Sequence, residues 1–225
     1  MRTTRSTILK KRTLFALALA AICVMPSCNR PDNYIIPVDY EKYYKGVTGL
    51  TEKESQEIYF KVMEEWYKNT LGKEIPDIEV KDLDGNTIML KKWLKKETIL
   101  VFTGPHCGFG MEEADKEFPS ALHNMKDELQ GIDILCLVEL AKESDQQVTL
   151  DYAKTLQGAY DNLFIINHME ALKTNLTACP TKFFIDEKQI VRHVHIGLAL
   201  DQEKREEEIR IGVALMRKQS NENNL

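Results

Sequence analysis

No stretch of this chain reads as a membrane-spanning helix. The apolar run at Thr13–Met25 has thirteen residues, against the roughly 20 that a bilayer crossing requires. Cysteine is scarce, with five in 225 residues. Cys23 lies inside that apolar run, and Cys28 follows it closely. Only Cys107, Cys136 and Cys179 remain for the folded part. Three thiols cannot make a disulfide framework; they allow one pair and one left over. Basic charge is also short. The chain carries a net −5, and without its first 27 residues it has 25 basic against 35 acidic side chains, a net of −10. That balance argues against a nucleic-acid partner, which needs an excess of cations to displace counterions. The Cys and His residues lack the spacing of a metal motif, and no cofactor motif stands out.

The basic residues that do occur are placed unevenly. Arg2, Arg5, Lys10, Lys11 and Arg12 precede the apolar run without an acidic residue among them. A cationic segment followed by a short apolar one has the form of an export signal. Met25-Pro26-Ser27-Cys28 then resembles a bacterial lipobox, whose cysteine is lipidated and becomes the new N-terminus. A plain cleaved signal is the alternative. The expectation is a lipoprotein signal peptide at 1–27 and a lipid anchor at Cys28. A tether over 28–50 would follow, holding the protein to a bacterial membrane on the periplasmic or cell-surface side. Export places the remaining thiols where disulfides are permitted.

The rest alternates strand and helix. Thr51-Glu52-Lys53-Glu54 has capping-box spacing and predicts a helix over 51–71, with Ile58, Val62, Met63 and Trp66 on its packing stripe. Ile78–Val80 and Thr87–Leu90 flank an Asp84-Gly85 turn. The apolar run 98–103 predicts a buried strand. A helix is expected from Met111 to about Leu129, kinked at Pro119. Strands near 132–138, 163–166, 182–186 and 190–195, and helices near 146–157, 168–176 and 201–217, complete the order. A polar tail is expected over 218–225. Strands alternating with helices predict an α/β fold with a mixed sheet covered on both faces.

Three pieces of sequence then come together in order. They are Gly72-Lys73-Glu74-Ile75-Pro76 with Asp84-Gly85 and Leu90, the junction from strand to cysteine at Cys107, and Cys179-Pro180-Thr181-Lys182-Phe183-Phe184-Ile185-Asp186. Over 72–217 the chain resembles the thioredoxin-like proteins of the TlpA and ResA type, which border the peroxiredoxins. The resemblance implies a thioredoxin-like fold with a central mixed β-sheet, helices on both faces and an N-terminal helical extension. It also implies a cis Pro180 facing a nucleophilic Cys107, with Pro180, Thr181 and Phe109 lining the place where a protein or peptide thiol or disulfide docks. A cis X-Pro bond costs only about 0.5–1 kcal/mol.

Two departures bear on function. The family's C-x-x-C is Cys107-Gly108-Phe109-Gly110 here, so the second thiol is missing. The residue before the first cysteine is His106, where the family has tryptophan. Protonated, such a histidine lowers a neighbouring thiol's pKa; neutral, it accepts the proton; an exposed loop histidine is the alternative. Thr103 stands four residues before Cys107, where the peroxiredoxin pattern has its hydroxyl three before, which argues against peroxidase chemistry. The functional glutamate of ResA-like members aligns with Glu113, or with Glu117 in a register one helical turn on. Cys179 occupies the position before the cis-proline, against the nucleophile. The resemblance therefore implies that Cys179 can resolve a mixed disulfide formed at Cys107, a small buried filler being the alternative. The leading expectation is thiol–disulfide exchange by Cys107. A redox-inactive binding module and a Cu(I) carrier using Cys107, Cys179 and His106 compete with it. Cys136, inside an apolar strand, reads as a core thiol.

Overall fold

The computed structural model describes residues 33–107, 111, 113–197 and 201–222, with the side chains of the last four left aside. Cys28, Phe109, Gly110 and the whole 1–27 signal therefore lie outside the described residues. Seven strands form one mixed sheet in the order β2-β1-β5-β4-β3-β6-β7. They are β1 (Glu79–Lys81), β2 (Thr87–Met89), β3 (Thr98–Thr103), β4 (Asp133–Leu140), β5 (Asn162–Asn167), β6 (Thr181–Ile185) and β7 (Val191–Ile196). β3, β4 and β5 run parallel, and the other neighbours are antiparallel. Among the described residues the α-helices are α1 (Glu41–Tyr44), α2 (Glu52–Thr70), α3 (Phe118–Asn124), α4 (Gln146–Thr155), α5 (His168–Lys173) and α6 (Gln202–Glu222).

The period of two along each strand divides the core between the two sheet faces. Leu100, Phe102, Leu135, Leu137, Phe183 and Ile185 pack on one face beneath Val62 and Trp66 of α2 and Ala171 of α5. Ile99, Val101, Cys136, Val138 and Phe184 pack on the other beneath α3, α4 and α6, whose Ile209, Val213 and Met216 are buried there. All six residues of β3 are buried. A strand covered on both faces has no polar side to alternate with, so its sequence reads as a continuous apolar run. Gly212 lets α6 settle on the sheet: a Cβ there would stand 2.4 Å from the Phe184 ring.

Three expectations change. The helix after Cys107 does not continue to Leu129. Residues Glu113–Glu117 form a π-helical stretch, and α3 ends at Asn124. Pro119 falls in the first turn of α3, where a missing N–H is tolerated, directly after the π-helical stretch. The final helix runs to Glu222, past the expected start of the polar tail at 218. The 28–50 stretch is not free tether throughout. From Asn33 it docks on the domain: Ile35 donates its N–H to the Glu74 carbonyl at 3.0 Å, and Ile35 and Val38 are buried in the core. α2 begins where its N-cap predicts, with Thr51 and Glu54 forming a reciprocal capping box.

Candidate active site

The site lies at the end of β3, beside the turn that enters β6. Parallel pairing with β4 on one side and antiparallel pairing with β6 on the other bring two loops together from residues far apart in sequence. After Thr103 the chain turns at Gly104, where a Cβ would meet Glu139 at 3.4 Å. The Cys107 N–H donates to the Gly104 carbonyl at 3.1 Å, and the Cys107 carbonyl accepts from Met111 N–H at 3.0 Å. That second bond has the spacing of one helical turn.

The opposite loop carries Cys179 and Pro180, joined by a cis peptide bond. Pro180 and Thr181 are buried. The Thr181 hydroxyl donates to the Ala178 carbonyl, which closes the turn. The Pro180 carbonyl accepts from Gly197 N–H at 2.8 Å, which ties the turn to the end of β7. Cys107 and Cys179 face each other as a disulfide. Their Cα atoms are 6.1 Å apart, across a sequence separation of 72. That spacing lies within the 4.4–6.8 Å range usual for disulfides. Cys136 is fully buried in β4. Burial, with a smaller contribution from the Asp115 charge, pushes its thiol well above the ordinary cysteine value.

The remaining candidates separate. His106 is exposed and turns its Nε2 to Asp145 Oδ2 at 3.2 Å. Glu113 is buried, and Glu117 is half-exposed. Glu113 Oε1 accepts from Lys182 Nζ at 2.6 Å, and its two oxygens accept from Arg205 at 3.0–3.2 Å. Burial alone would raise the Glu113 carboxyl; Arg205 and Lys182 outweigh it and hold it below the usual carboxylate range. Burial pushes Lys182 down from the ordinary lysine value, and Glu113 pulls it partly back. Arg205 also reaches Glu117 at 2.5 Å. Among the described residues, no group of three or more His, Cys, Asp or Glu is placed to hold a metal ion.

Sequence reasoning missed Lys182 and Arg205. Lys182 sits between Thr181 and Phe183 in an otherwise apolar strand, and a charge in that setting was the available signal. Arg205 stands in the run Glu203-Lys204-Arg205-Glu206-Glu207-Glu208, which resembles a solvated helix face and gives no signal. A second buried polar group was also missed: the Thr103 and Tyr152 hydroxyls lie 3.3 Å apart.

No family profile matches the chain, and no curated protein matches it. Solved structures similar to it include the thioredoxin domain of a thiol-disulfide oxidoreductase from Bacteroides vulgatus. That likeness has 16% identity, 63% of this chain and 96% of that chain covered, and a TM-score of 0.45. StoA from Bacillus subtilis is similar at 20% identity over 60% of this chain and 96% of that one, with a TM-score of 0.45. An exposed lipoprotein thioredoxin from Streptococcus pneumoniae is similar at 20% identity over 57% and 93%, with a TM-score of 0.42. The mixed seven-stranded sheet, helices on both faces and a cis-proline turn set against the cysteine after β3 together make this a thioredoxin-like α/β fold.

Proposed function

We propose that the protein is an envelope lipoprotein that exchanges thiols and disulfides with protein or peptide substrates, with Cys107 as nucleophile and Cys179 as the resolving thiol. The facing of Cys107 and Cys179 across the cis-proline turn carries this reading. The Cys107 thiolate attacks a substrate disulfide, forms a mixed disulfide and releases one substrate thiolate. The Cys179 thiolate then attacks Cys107 Sγ, closing the internal disulfide and releasing the second substrate thiolate. Two electrons pass from the protein dithiol to the substrate, and a dithiol donor must restore the reduced form. In the opposite direction the internal disulfide oxidises a substrate dithiol.

The Cys179–Pro180 turn would dock the substrate backbone, with buried Thr181 supporting that turn from beneath; Phe109, the third residue expected there, lies outside the described residues. His106, one residue from the nucleophile, turns its ring to Asp145. Cys28 would carry the lipid that holds the protein at the membrane.

Mass spectrometry of peptides from oxidised protein tests the pairing. The expected product is the Cys107–Cys179 peptide pair. A Cys179→Ser variant is expected to accumulate mixed disulfides at Cys107. Cys107 found as sulfenic acid or dimerised through itself, with Cys179 always free, would overturn the reading. Gly110 in place of the second C-x-x-C thiol favours the competing reading, a redox-inactive module holding a peptide. Absence of insulin-disulfide reduction by a protein that keeps both thiols reduced would favour that module.

A further inference from the structure

The two cysteines sit on separate arms of chain, and the disulfide is not the only bond between those arms. Glu113 is six residues beyond Cys107, and Lys182 is three residues beyond Cys179. Their side chains meet at 2.6 Å, with 2% and 0% of the lysine and glutamate side chains exposed. Arg205 on α6 fixes the same carboxylate with Nε and Nη2. Lys182 Nζ also donates to the Gly197 carbonyl at 3.2 Å and lies over the Phe118 ring at 5.1 Å. Gly197 N–H in turn bonds the Pro180 carbonyl. The lysine therefore fastens the cis-proline turn, the end of β7 and the segment after the nucleophile to one another.

We propose that the buried Glu113–Lys182 pair, backed by Arg205, is a second tie between the cysteine arms. It keeps the Cys107 and Cys179 thiols facing each other after reduction, so that their disulfide closes at high effective concentration. Lys182 and Glu113 are then positioning residues for the thiol pair, and the proposal rests on the reading that this pair is reversible. A buried ion pair commonly contributes little net stability, because desolvation offsets the attraction. Its geometry is nonetheless restrictive: it holds Glu113, which follows Cys107 beyond the end of the β3–β6 ladder, to Lys182, which follows Cys179. In a conventional C-x-x-C the two thiols share one helical turn, so their spacing is set by local backbone. Here they are 72 residues apart in sequence, and only tertiary contacts hold them together. An intramolecular disulfide is favoured in proportion to the effective concentration of one thiol at the other.

The test equilibrates the full chain with reduced and oxidised glutathione. Internal disulfide and two glutathione thiols exchange with internal dithiol and one glutathione disulfide, two electrons passing in each direction. The fraction oxidised is read by alkylation and mass spectrometry. The informative variant is Glu113→Gln/Lys182→Met, which removes one charge of each sign and leaves Arg205 paired to Glu117. It is expected to shift the equilibrium toward dithiol by about tenfold, equal to about 30 mV. Lys182→Met keeps Glu113 on Arg205 and therefore buries no unpaired carboxylate; it is expected to shift the same way. Lys182→Arg is expected to recover most of the loss. If the lysine acted only by favouring thiolate, Lys182→Met would shift toward disulfide and the charge-neutral double variant would not move. Either of those results overturns the tie. Wild-type protein that forms no internal disulfide at any glutathione ratio would overturn the exchange reading, and the tie with it.

Discussion

The three thiols of the folded part illustrate how surroundings decide reactivity. A thiolate is the nucleophile, so a thiol held well above its ordinary pKa by burial is inert at neutral pH. Cys136 is in that state, while Cys107 and Cys179 are half-buried at the mouth between two loops. Reduced protein treated with iodoacetamide near neutral pH is expected to label at Cys107 and Cys179, with Cys136 labelling only after denaturation. Equal labelling of Cys136 in folded protein would contradict this placement. His195 provides a pH handle. Burial, then the Lys182 charge, pushes it down to about 4. Glu113 counters from across the cluster, His193 adds to the lowering, and Glu208 lies 3.2 Å from Nε2. The fold thus binds fewer protons at His195 than the unfolded chain does between its ordinary pKa, near 6.5, and about 4. Its contribution is present above that window and is lost as pH falls through it. Undiluted, the shift corresponds to about 3 kcal/mol; solvent at the partly exposed ring reduces it to about 1–2 kcal/mol. Chemical denaturation from pH 7 to 4 is expected to show this loss and His195→Gln to flatten it, with Glu208, raised by burial, sloping the opposite way. At this scale the sequence placed Cys107, Cys179, Pro180 and Glu113 together because a family pattern marked each of them. Lys182 occupies a variable position of that pattern, so its one signal in the sequence is a charge in an apolar strand, and its buried partner is seen only in space.

At the scale of elements, strands were more legible than helix lengths. β3 and β4 carry the unbroken apolar runs 99–102 and 134–138, and the parallel pair they form follows from strands separated by helices. The helix after Cys107 was expected to run from Met111 to about Leu129, and its end was not legible: α3 stops at Asn124. A proline permits several local solutions, and the choice of a π-helical stretch depends on what Glu113 and Ala114 bury against. Gly212 offers a test of helix-on-sheet packing. Alanine has a helix propensity about 1 kcal/mol better than glycine, which alone would make Gly212→Ala stabilising. Yet its Cβ would overlap the buried Phe184 ring at 2.4 Å. Phe184 lies in β6 between β3 and β7, so its ring cannot yield without moving the sheet core. Overpacking of this kind costs about 1–3 kcal/mol or more. The clash should prevail: denaturant titration is expected to show a net loss of about 1–2 kcal/mol. An unchanged or raised midpoint would mean that α6 can lift from the sheet.

On the scale of the whole molecule, the N-terminal extension is part of the domain, and one asparagine fastens it there. Asn175 is buried and sits at φ +57°. Its Oδ1 accepts from Val38 N–H at 2.9 Å, and its Nδ2 donates to the Ile36 carbonyl at 3.0 Å and to Thr70 Oγ1 at 3.1 Å. Its carbonyl accepts from Trp66 Nε1 at 2.8 Å, which brings in the C-terminal part of α2. A composition rich in polar residues and proline made 28–50 read as tether. Residues 34–38 do carry apolar side chains, but without a partner in view such a short run does not declare what it packs against. The partner is formed by Thr70 and Asn175, more than a hundred residues apart in sequence. Asparagine is among the few residues that adopt the left-handed conformation readily, and its side chain here supplies bonds that no apolar residue can replace. Asn175→Ala is expected to cost about 2–4 kcal/mol, from three side-chain hydrogen bonds and an unfavourable φ. The loss should be local before it is global. Limited proteolysis of the variant below its melting temperature is expected to cut within 33–50, while the sheet and the Cys107–Cys179 pairing persist. Equal resistance of variant and wild type over that segment would show that the extension is held by Ile35 and Val38 packing alone.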